Sequence, residues 1–556
     1  MPVKDGSHRP WVGVENVTAE QVFVNADVVT MDPEGPSAQA FAVLGDRFCA
    51  VGSEEEVRPW VGRKTRMVDL RGRTVLPGFI ESHSHPSLYA MTLLQADCRT
   101  PPNGTVGEVK ARLKVMAGTL GPGRWVRGWG YDDTLIAEKR HLARADLDEA
   151  ALANPVFVSH VSGHLAYANS LALEMARVGP ASPQPPGGEI QRDERGRPTG
   201  LLREQAAQEL VLRHIPPYPV SALKDALRET VRMYHQAGIT SSHDAAVGYF
   251  REERQVLQAY RELQEEGGLD LRIYLSVVEE LHRDLGILGS AGGFGSEWLR
   301  LGSVKLFQDG SIQALTAALE EPYQNAPSRR GDPIHSQERL DHLVEHYHSR
   351  GIQVAVHANG DRAIESTVQA LERAQRRHPR KDARHLIIHC QLASGDQIRR
   401  MKRLGVIPSF FVNHVYYWGD RHVALFLGPE RAARIDPLGN AVEEGLIFTL
   451  HSDLPVTPVD PLFSMHCAVN RRTREGMVLG PEQRISPLEA LRAYTVHGAY
   501  CSFEENSKGS IQMGKLADFV VLSENPLRVP PERIKETRVL RTVLGGRTVY
   551  EAPEED

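Results

Sequence analysis

Cysteine is scarce in this chain and poorly placed for pairing. Cys49, Cys98, Cys390, Cys467 and Cys501 are scattered through 556 residues, and none forms C-x-x-C. An odd, dispersed set argues against a disulfide framework or a zinc knuckle, so a reducing cytoplasm is the expected compartment. No apolar run is long enough to span a bilayer. Residues 1–16 carry no apolar leader, so neither secretion nor a membrane partner is expected. Charge of one sign is missing too. Against 71 acidic residues stand 65 basic ones, a net charge of −6, which leaves no basic footprint for nucleic acid or anionic lipid. G-x-S-x-G, G-x-x-x-x-G-K-[ST] and G-x-G-x-x-G are all absent, so serine-hydrolase, phosphate-loop and dinucleotide readings lack support.

What is present reads as an ordinary globular chain, 41% hydrophobic and 24% charged. It is long enough for three or four average domains, or for one barrel with insertions. Residues 21–30, 38–52 and 66–75 read as short strands, broken at Gly45-Asp46 and Arg71-Gly72. The other end is similar, with a strand at 517–522 and a hairpin at 540–550 around Gly545-Gly546. Neither end has enough strands to close a core, so the two are expected to pair into one small β domain. From Leu223 onward helices and strands alternate. Leu223, Leu227, Val231 and Tyr234 have helical spacing and stop at Gly238. Strands are expected at 239–244, 271–278, 299–307, 353–357, 385–389, 406–411 and 447–453, with helices between them, among these 337–349 and 363–377. Repeated βα units imply a parallel sheet, either open or closed into a barrel. Between about 95 and 220 the pattern loosens, and the Pro- and Gly-rich stretch 180–200 marks exposed loop or hairpin. This segment is expected to be an insertion over the mouth of the main domain.

The chemistry gathers where strands end. An apolar run from Val75 to Ile80 leads into His83-Ser84-His85-Pro86. Residues two apart share a face of a strand, so His83 and His85 project together and suit a divalent metal. Four further strands end on Lys305, His357, His389 and Asp453. In a barrel of parallel strands such ends face one pocket. Lys305 lies in an apolar strand, where an ammonium is expensive to desolvate. Burial and nearby cations push such an amine toward its neutral form, which takes up carbon dioxide as a carbamate able to bridge two metals. Pairing with Asp309 or another carboxylate is the alternative. Cys390 reads as a small buried hydrophobe. His342, Glu345 and His346 match the H-x-x-E-H pattern. The stripe Leu340, Leu343, Val344 and Tyr347, however, turns them toward solvent. Trp129 and Tyr131 in a glycine-flanked loop, and Phe410, Phe411, His414, Tyr416, Tyr417 and Trp418, suit either an apolar cleft or core packing. His160 and His164 follow the apolar run 156–158 and are further candidates, with a satisfied histidine as the plain alternative.

Taken together these motifs resemble the amidohydrolase superfamily, and within it the large-amidohydrolase branch that includes the N-substituted formamide deformylases. The resemblance rests on Val75-Leu76-Pro77-Gly78-Phe79-Ile80 with His83-Ser84-His85, Gly128-Trp129-Gly130-Tyr131, Gly163-His164 with Asn169-Ser170, and Pro186-Gly187-Gly188-Glu189. It continues through Val304-Lys305-Leu306 with Asp309-Gly310-Ser311, His357-Ala358-Asn359-Gly360-Asp361-Arg362-Ala363, His389-Cys390-Gln391 and His451-Ser452-Asp453. It implies an α/β fold: a (β/α)8 TIM barrel on residues 78–503, a β-sandwich built from 1–77 and 504–556, and the insertion at about 95–220. It implies metal ligands His83, His85, Lys305, His357, His389 and Asp453, holding one or two divalent ions, zinc expected, with Lys305 carbamylated if two bind. Asp453 is expected to take a proton from water and return it to the leaving amine. Trp129, Tyr131, His164, Asp309 and His414 are the expected substrate contacts. Glu81 and Ile388 depart from the family pattern, where aspartate and glutamate are common. The expected substrate is a small N-substituted formamide or N-acyl amide, with carbamate, cyclic amide and lactone as alternatives. A scaffold that has lost catalysis is the competing class, but every ligand position is filled. Lys305 argues against the single-metal deaminases, which lack that lysine. A homodimer is the default partner expectation.

Overall fold

The computed structural model describes residues 17–163, 165–249, 253–284 and 294–553. Its centre is a ring of eight parallel strands: β1 (Phe79–Ser84), β2 (Ile239–Val247), β3 (Arg272–Val278), β4 (Leu299–Phe307), β5 (Val354–Ala358), β6 (Leu386–His389), β7 (Ile407–Phe410) and β8 (Thr449–Leu450). Each strand pairs in parallel with the next, with register shifts where β2 meets β1 and β3 and where β3 meets β4. Strands covered on both faces lose the in–out alternation of a half-exposed sheet. In β2 all nine residues are buried, although five of them, Thr240 to Asp244, are polar. Outside run amphipathic helices such as Val220–Gln236, which buries Leu223, Leu227, Val231 and Tyr234, and Asp361–Arg377. The expected barrel is thus present.

Among the described residues no ladder joins β8 to β1. The gap is closed instead by the Asp453 amide donating to the His83 carbonyl (3.2 Å) and by the Ser82 hydroxyl donating to the Leu450 carbonyl (3.1 Å). This explains why β8 is only two residues long where a longer strand is expected: after Leu450 the chain leaves the ladder and crosses to β1.

The termini meet as expected. Thr74–Pro77 pairs with Asp27–Val29 on one side and with Phe519–Leu522 on the other, inside a six-stranded sheet. A four-stranded sheet of Gln21–Val24, Ala40–Leu44, Arg47–Gly52 and Arg66–Asp69 packs against it. Phe23, Phe41, Phe48 and Phe519 fill the space between, with ring centroids 4.7 to 6.1 Å apart. The hairpin Val539–Leu544 to Arg547–Glu551 turns on Gly545 and Gly546, both at positive φ, as a primed two-residue turn requires.

The insertion is more ordered than its sequence suggests. It forms a six-stranded sheet with apolar clusters of its own around Val109, Leu113, Val126 and Leu147, and around Phe157, Leu173 and Leu202. Residues 180–200 contribute one hairpin, Glu189–Arg192 with Pro198–Arg203. No helix among the described residues is long and apolar enough to cross a membrane.

His243 of β2 is buried against Tyr274, ring centroids 4.6 Å apart. Burial, helped by the Lys508 ammonium, pushes its imidazole down to about 3. The unfolded chain takes up this proton near 6.5, so the stability involved is intact above that pH and is lost as pH falls toward 3. Urea unfolding of His243→Gln should therefore lose less stability than wild type between pH 7 and pH 5, by about 2 kcal/mol.

Candidate metal centre

The C-terminal ends of five strands deliver the expected donors to one place. Nε2 of His83 and of His85 lie 3.4 and 3.1 Å from Asp453 Oδ1. The ligand atoms of His83, His389 and Asp453 all fall within 4.8 Å of one another. Donors that share one ion at about 2.0–2.2 Å sit a few ångströms apart, so the spacing fits a divalent cation. The His357 ring packs against His389 with centroids 4.6 Å apart. Its Nε2 faces the Gly310 carbonyl (3.2 Å) and the Asn359 amide (3.1 Å). Lys305 is 2% exposed. His83, His85, His389 and Asp453 thus stand together, and Lys305, His357, His389 and Asp453 line one cleft.

Protonation states suit metal binding. His85 Nδ1 donates to the Ala245 carbonyl (2.5 Å), which leaves the Nε2 lone pair for the centre. Burial holds His83 and His389 well below the ordinary histidine range, in the neutral form a metal needs. Burial brings the Lys305 amine down to about 7, against the pull of the Asp453 charge. Burial works against an ionised Asp453, yet His389, His83 and His85 outweigh it and hold that carboxyl well below the carboxylate range. His389 and Asp453 have φ of 68° and 57°, a left-handed conformation uncommon outside glycine. Strain of this kind gathers at functional sites.

Two supports had no role assigned from sequence. Glu81, unexposed and pushed up to about 8 by burial, accepts from the Ser452 hydroxyl (2.8 Å), the Ser452 amide (3.2 Å) and the His83 amide (3.4 Å). It bridges β1 to the segment that carries Asp453. His451 Nε2 lies 3.1 Å from His389 Nδ1, while its Nδ1 meets the Ser409 hydroxyl at 2.9 Å. Ile388, the other departure from the family pattern, packs in an apolar cluster with Ala355, Leu386, Ile407 and Cys501. Cys390 is fully buried, and burial pushes its thiol up, away from the reactive thiolate.

A cleft of 2680 Å³ opens from the centre toward the insertion. Phe411, His414, Tyr416, Tyr417 and Trp418 line one wall, and Tyr249, Phe307 and Leu315 line another. His414 is therefore where a substrate contact is expected. Two other expected contacts are placed differently. Tyr131 is fully buried, edge-on to Tyr167, with its hydroxyl donating to the Arg140 carbonyl (2.6 Å). It packs the insertion, while Gly130 and Asp132 form the cleft surface there. Asp309 borders the cleft, but both its oxygens accept backbone amides, from Ala318 (2.9 Å), Asn359 (2.9 Å) and Gly360 (2.8 Å). It fixes the loop beside His357. Trp129 is half-buried on Val126–Tyr131. His164 lies outside the described residues.

Asp132, Asp133 and His160 form a second grouping of possible metal donors, on the insertion. His160 Nδ1 accepts the Ser162 amide (3.0 Å), so its proton sits on Nε2, which faces Asp133 at 3.1 Å. A protonated nitrogen cannot ligate a metal, and the pair reads as a largely buried contact at the edge of the cleft. The H-x-x-E-H helix holds no centre either. Glu345 is taken by Arg377 (2.5 Å) and His378 (3.2 Å).

An eight-stranded barrel with imidazoles, a lysine and a carboxylate at its strand ends defines a metal-dependent hydrolase. The chain belongs to the amidohydrolase family, whose profile matches residues 66–550, and it is an enzyme acting on carbon–nitrogen bonds other than peptide bonds. It is 31% identical over 547 residues to the N-substituted formamide deformylase of Arthrobacter pascens, covering 95% of this chain and 98% of that one. It is 30% identical over 535 residues to the putative amidohydrolase YtcJ of Bacillus subtilis strain 168, covering 94% and 98%. Among solved structures, an uncharacterized metal-dependent hydrolase from Pyrococcus horikoshii OT3 superposes with a TM-score of 0.76 at 26% identity, over 92% of this chain and 99% of that one.

Glu81→Ala should strand the Ser452 amide and hydroxyl without an acceptor. Urea unfolding of the metal-free protein should show a loss of about 3 kcal/mol. Metal affinity, read by titration against a chelating dye, should weaken by roughly 10- to 100-fold.

Proposed function

We propose that this enzyme hydrolyses the C–N bond of a small N-substituted formamide or related N-acyl amide whose N-substituent is aromatic or alkyl. The observation that carries the reading is the joining of a six-donor centre to an aromatic-walled cleft. A metal centre suits attack on a carbonyl, and Phe411, Tyr416, Tyr417 and Trp418 offer apolar faces to a substituent. The relative from Arthrobacter, named for N-substituted formamides, supports the same class.

His83, His85, His357, His389 and Asp453 would hold one or two divalent cations, zinc being the expected ion for imidazole and carboxylate donors. Lys305 joins them as a carbamate when two ions bind: its neutral amine attacks carbon dioxide, the N–C bond forms, and one proton leaves to solvent. The bound cation supplies polarisation of the substrate carbonyl and acidification of water toward about 7. The protein does the rest. Neutral imidazoles at His83 and His389 would leave the positive charge of the centre on a bound cation. Asp453, held ionised, takes the proton from the attacking water. The aromatic wall sets the depth of the substituent and keeps bulk water from it. Substrate and one water become a carboxylate and an ammonium ion.

Asp453→Asn should lower turnover of a formanilide by roughly 10²- to 10⁴-fold while metal content, measured by plasma mass spectrometry, stays close to wild type. Loss of metal from that variant would make Asp453 chiefly a ligand. In a panel of N-formyl, N-acetyl, carbamate and lactone substrates, N-formyl amides with aromatic or alkyl substituents should have the highest kcat/KM. Preference for the lactone would overturn the reading.

A further inference from the structure

Behind the aromatic wall lies a set of buried polar groups for which the chemistry above has no use. His414 lines the cleft and is 3% exposed; its Nδ1 lies 3.7 Å from Asp436 Oδ1. Asp436 is wholly buried, yet neither carboxylate oxygen accepts a hydrogen bond, and His414 Nδ1 makes none either. His422 Nδ1 and Gln391 Oε1, beside them, are also unpaired, with His422 Nε2 against the Gln391 amide at 3.1 Å. The His414 and His422 rings are 6.3 Å apart. Bare buried polar atoms are few in native proteins, and each calls for a reason.

The backbone around Asp436 is held firmly while its side chain is left bare. Its φ is 48°, strained for a non-glycine residue. Its amide donates to the Gln391 carbonyl (2.7 Å), and its carbonyl accepts from the Leu438 amide (2.7 Å) and from Arg471 Nη1 (3.1 Å). Arg471, wholly buried itself, gives its other bonds to the carbonyls of Ile435 (2.8 Å) and Leu479 (2.7 Å). A buried guanidinium that spends itself on carbonyls fixes the loop and leaves the carboxylate for another partner. The nearest candidate is His414 Nδ1, just beyond hydrogen-bonding range. With that nitrogen toward Asp436, Nε2 lies on the opposite edge of the ring, toward the cleft. The His414 centroid is 6.2 Å from that of His389, close enough for one bound amide to reach both.

We propose that His414, aligned by Asp436, gives the departing nitrogen its proton. The assignment rests on the amide hydrolysis proposed above and divides the proton work between two groups. If Asp453 acted alone, it would have to carry the proton from the water to the nitrogen. With His414 present, the C–N bond breaks, its electron pair stays on nitrogen, and nitrogen takes the Nε2 proton. His414 is left neutral. The proton that Asp453 took from water then restores it through solvent in the cleft. His414 is a catalytic residue in this scheme, and Asp436 is a positioning residue.

The test uses the metal-loaded enzyme and two formamides that differ only in the departing amine: 4-nitroaniline, whose conjugated nitrogen leaves with far less need of a proton, and benzylamine, which must be protonated to leave. His414→Gln should lower kcat for the benzylamide by about 10²- to 10⁴-fold, lower it less than about tenfold for the nitroanilide, and leave KM nearly unchanged for both. Asp436→Asn should show the same selectivity in weaker form. Separately, metal-free wild type labelled with 15N-histidine should show a downfield Nδ1–H resonance that both variants lose. Equal losses on the two substrates, or an unchanged spectrum in Asp436→Asn, would overturn the dyad and leave the hydrolase reading standing. Wild-type protein inert toward both amides would overturn the proposed function and the dyad with it.

Discussion

Among the described residues no ladder joins Phe79–Ser84 to Thr449–Leu450, and the Glu81 carboxyl group spans the gap by taking the amide and hydroxyl of Ser452. A closed barrel normally holds its strand ends through continuous backbone pairing. Here the seam coincides with the candidate metal centre, so the groups that close the ring also set the donors. His83 and Asp453 lie on either side of that seam, joined by a backbone bond of 3.2 Å. With no ladder there, their spacing is set by that one backbone bond and by a side chain out of reach of solvent. Lengthening or removing that side chain would alter ring closure and donor geometry together.

The charge balance around the seam follows from burial. Asp453 remains ionised because three imidazoles surround it, and two of them, His83 and His389, are held in the neutral form by their own burial. Neutral donors around one carboxylate leave the site short of positive charge, which is the electrostatic setting that attracts a cation. Lys305, brought to about 7, does not supply that charge firmly.

The strand ends were legible because each joins an apolar run to one polar residue, as in Ile387-Ile388-His389. The barrel followed from the alternation of such strands with amphipathic helices. Glu81 was visible only as a departure from a family pattern, since nothing in the chain links residue 81 to residue 452 before the ring closes. Tyr131 and Asp309 carried side chains typical of a binding site, but their partners, Arg140 and the amides of Ala318, Asn359 and Gly360, became apparent only in three dimensions. The insertion was underestimated because the Pro- and Gly-rich stretch hides short strands paired with distant partners. Asp436 gave no signal at all: its isolation within a buried loop is a property of the fold.

The strand Thr74–Pro77 runs directly into β1, which leads to His83 and His85, and it is flanked by Asp27–Val29 and Phe519–Leu522. During synthesis the first of these neighbours is already made, but the second emerges more than four hundred residues later. At about 5–20 residues per second the strand waits roughly 20 to 90 seconds for it. Throughout that interval an apolar edge leading into the catalytic ring stands open on the ribosome. The order of translation therefore makes the last β segment a checkpoint for the first, and a nascent chain stalled before residue 519 would be a natural client for chaperones.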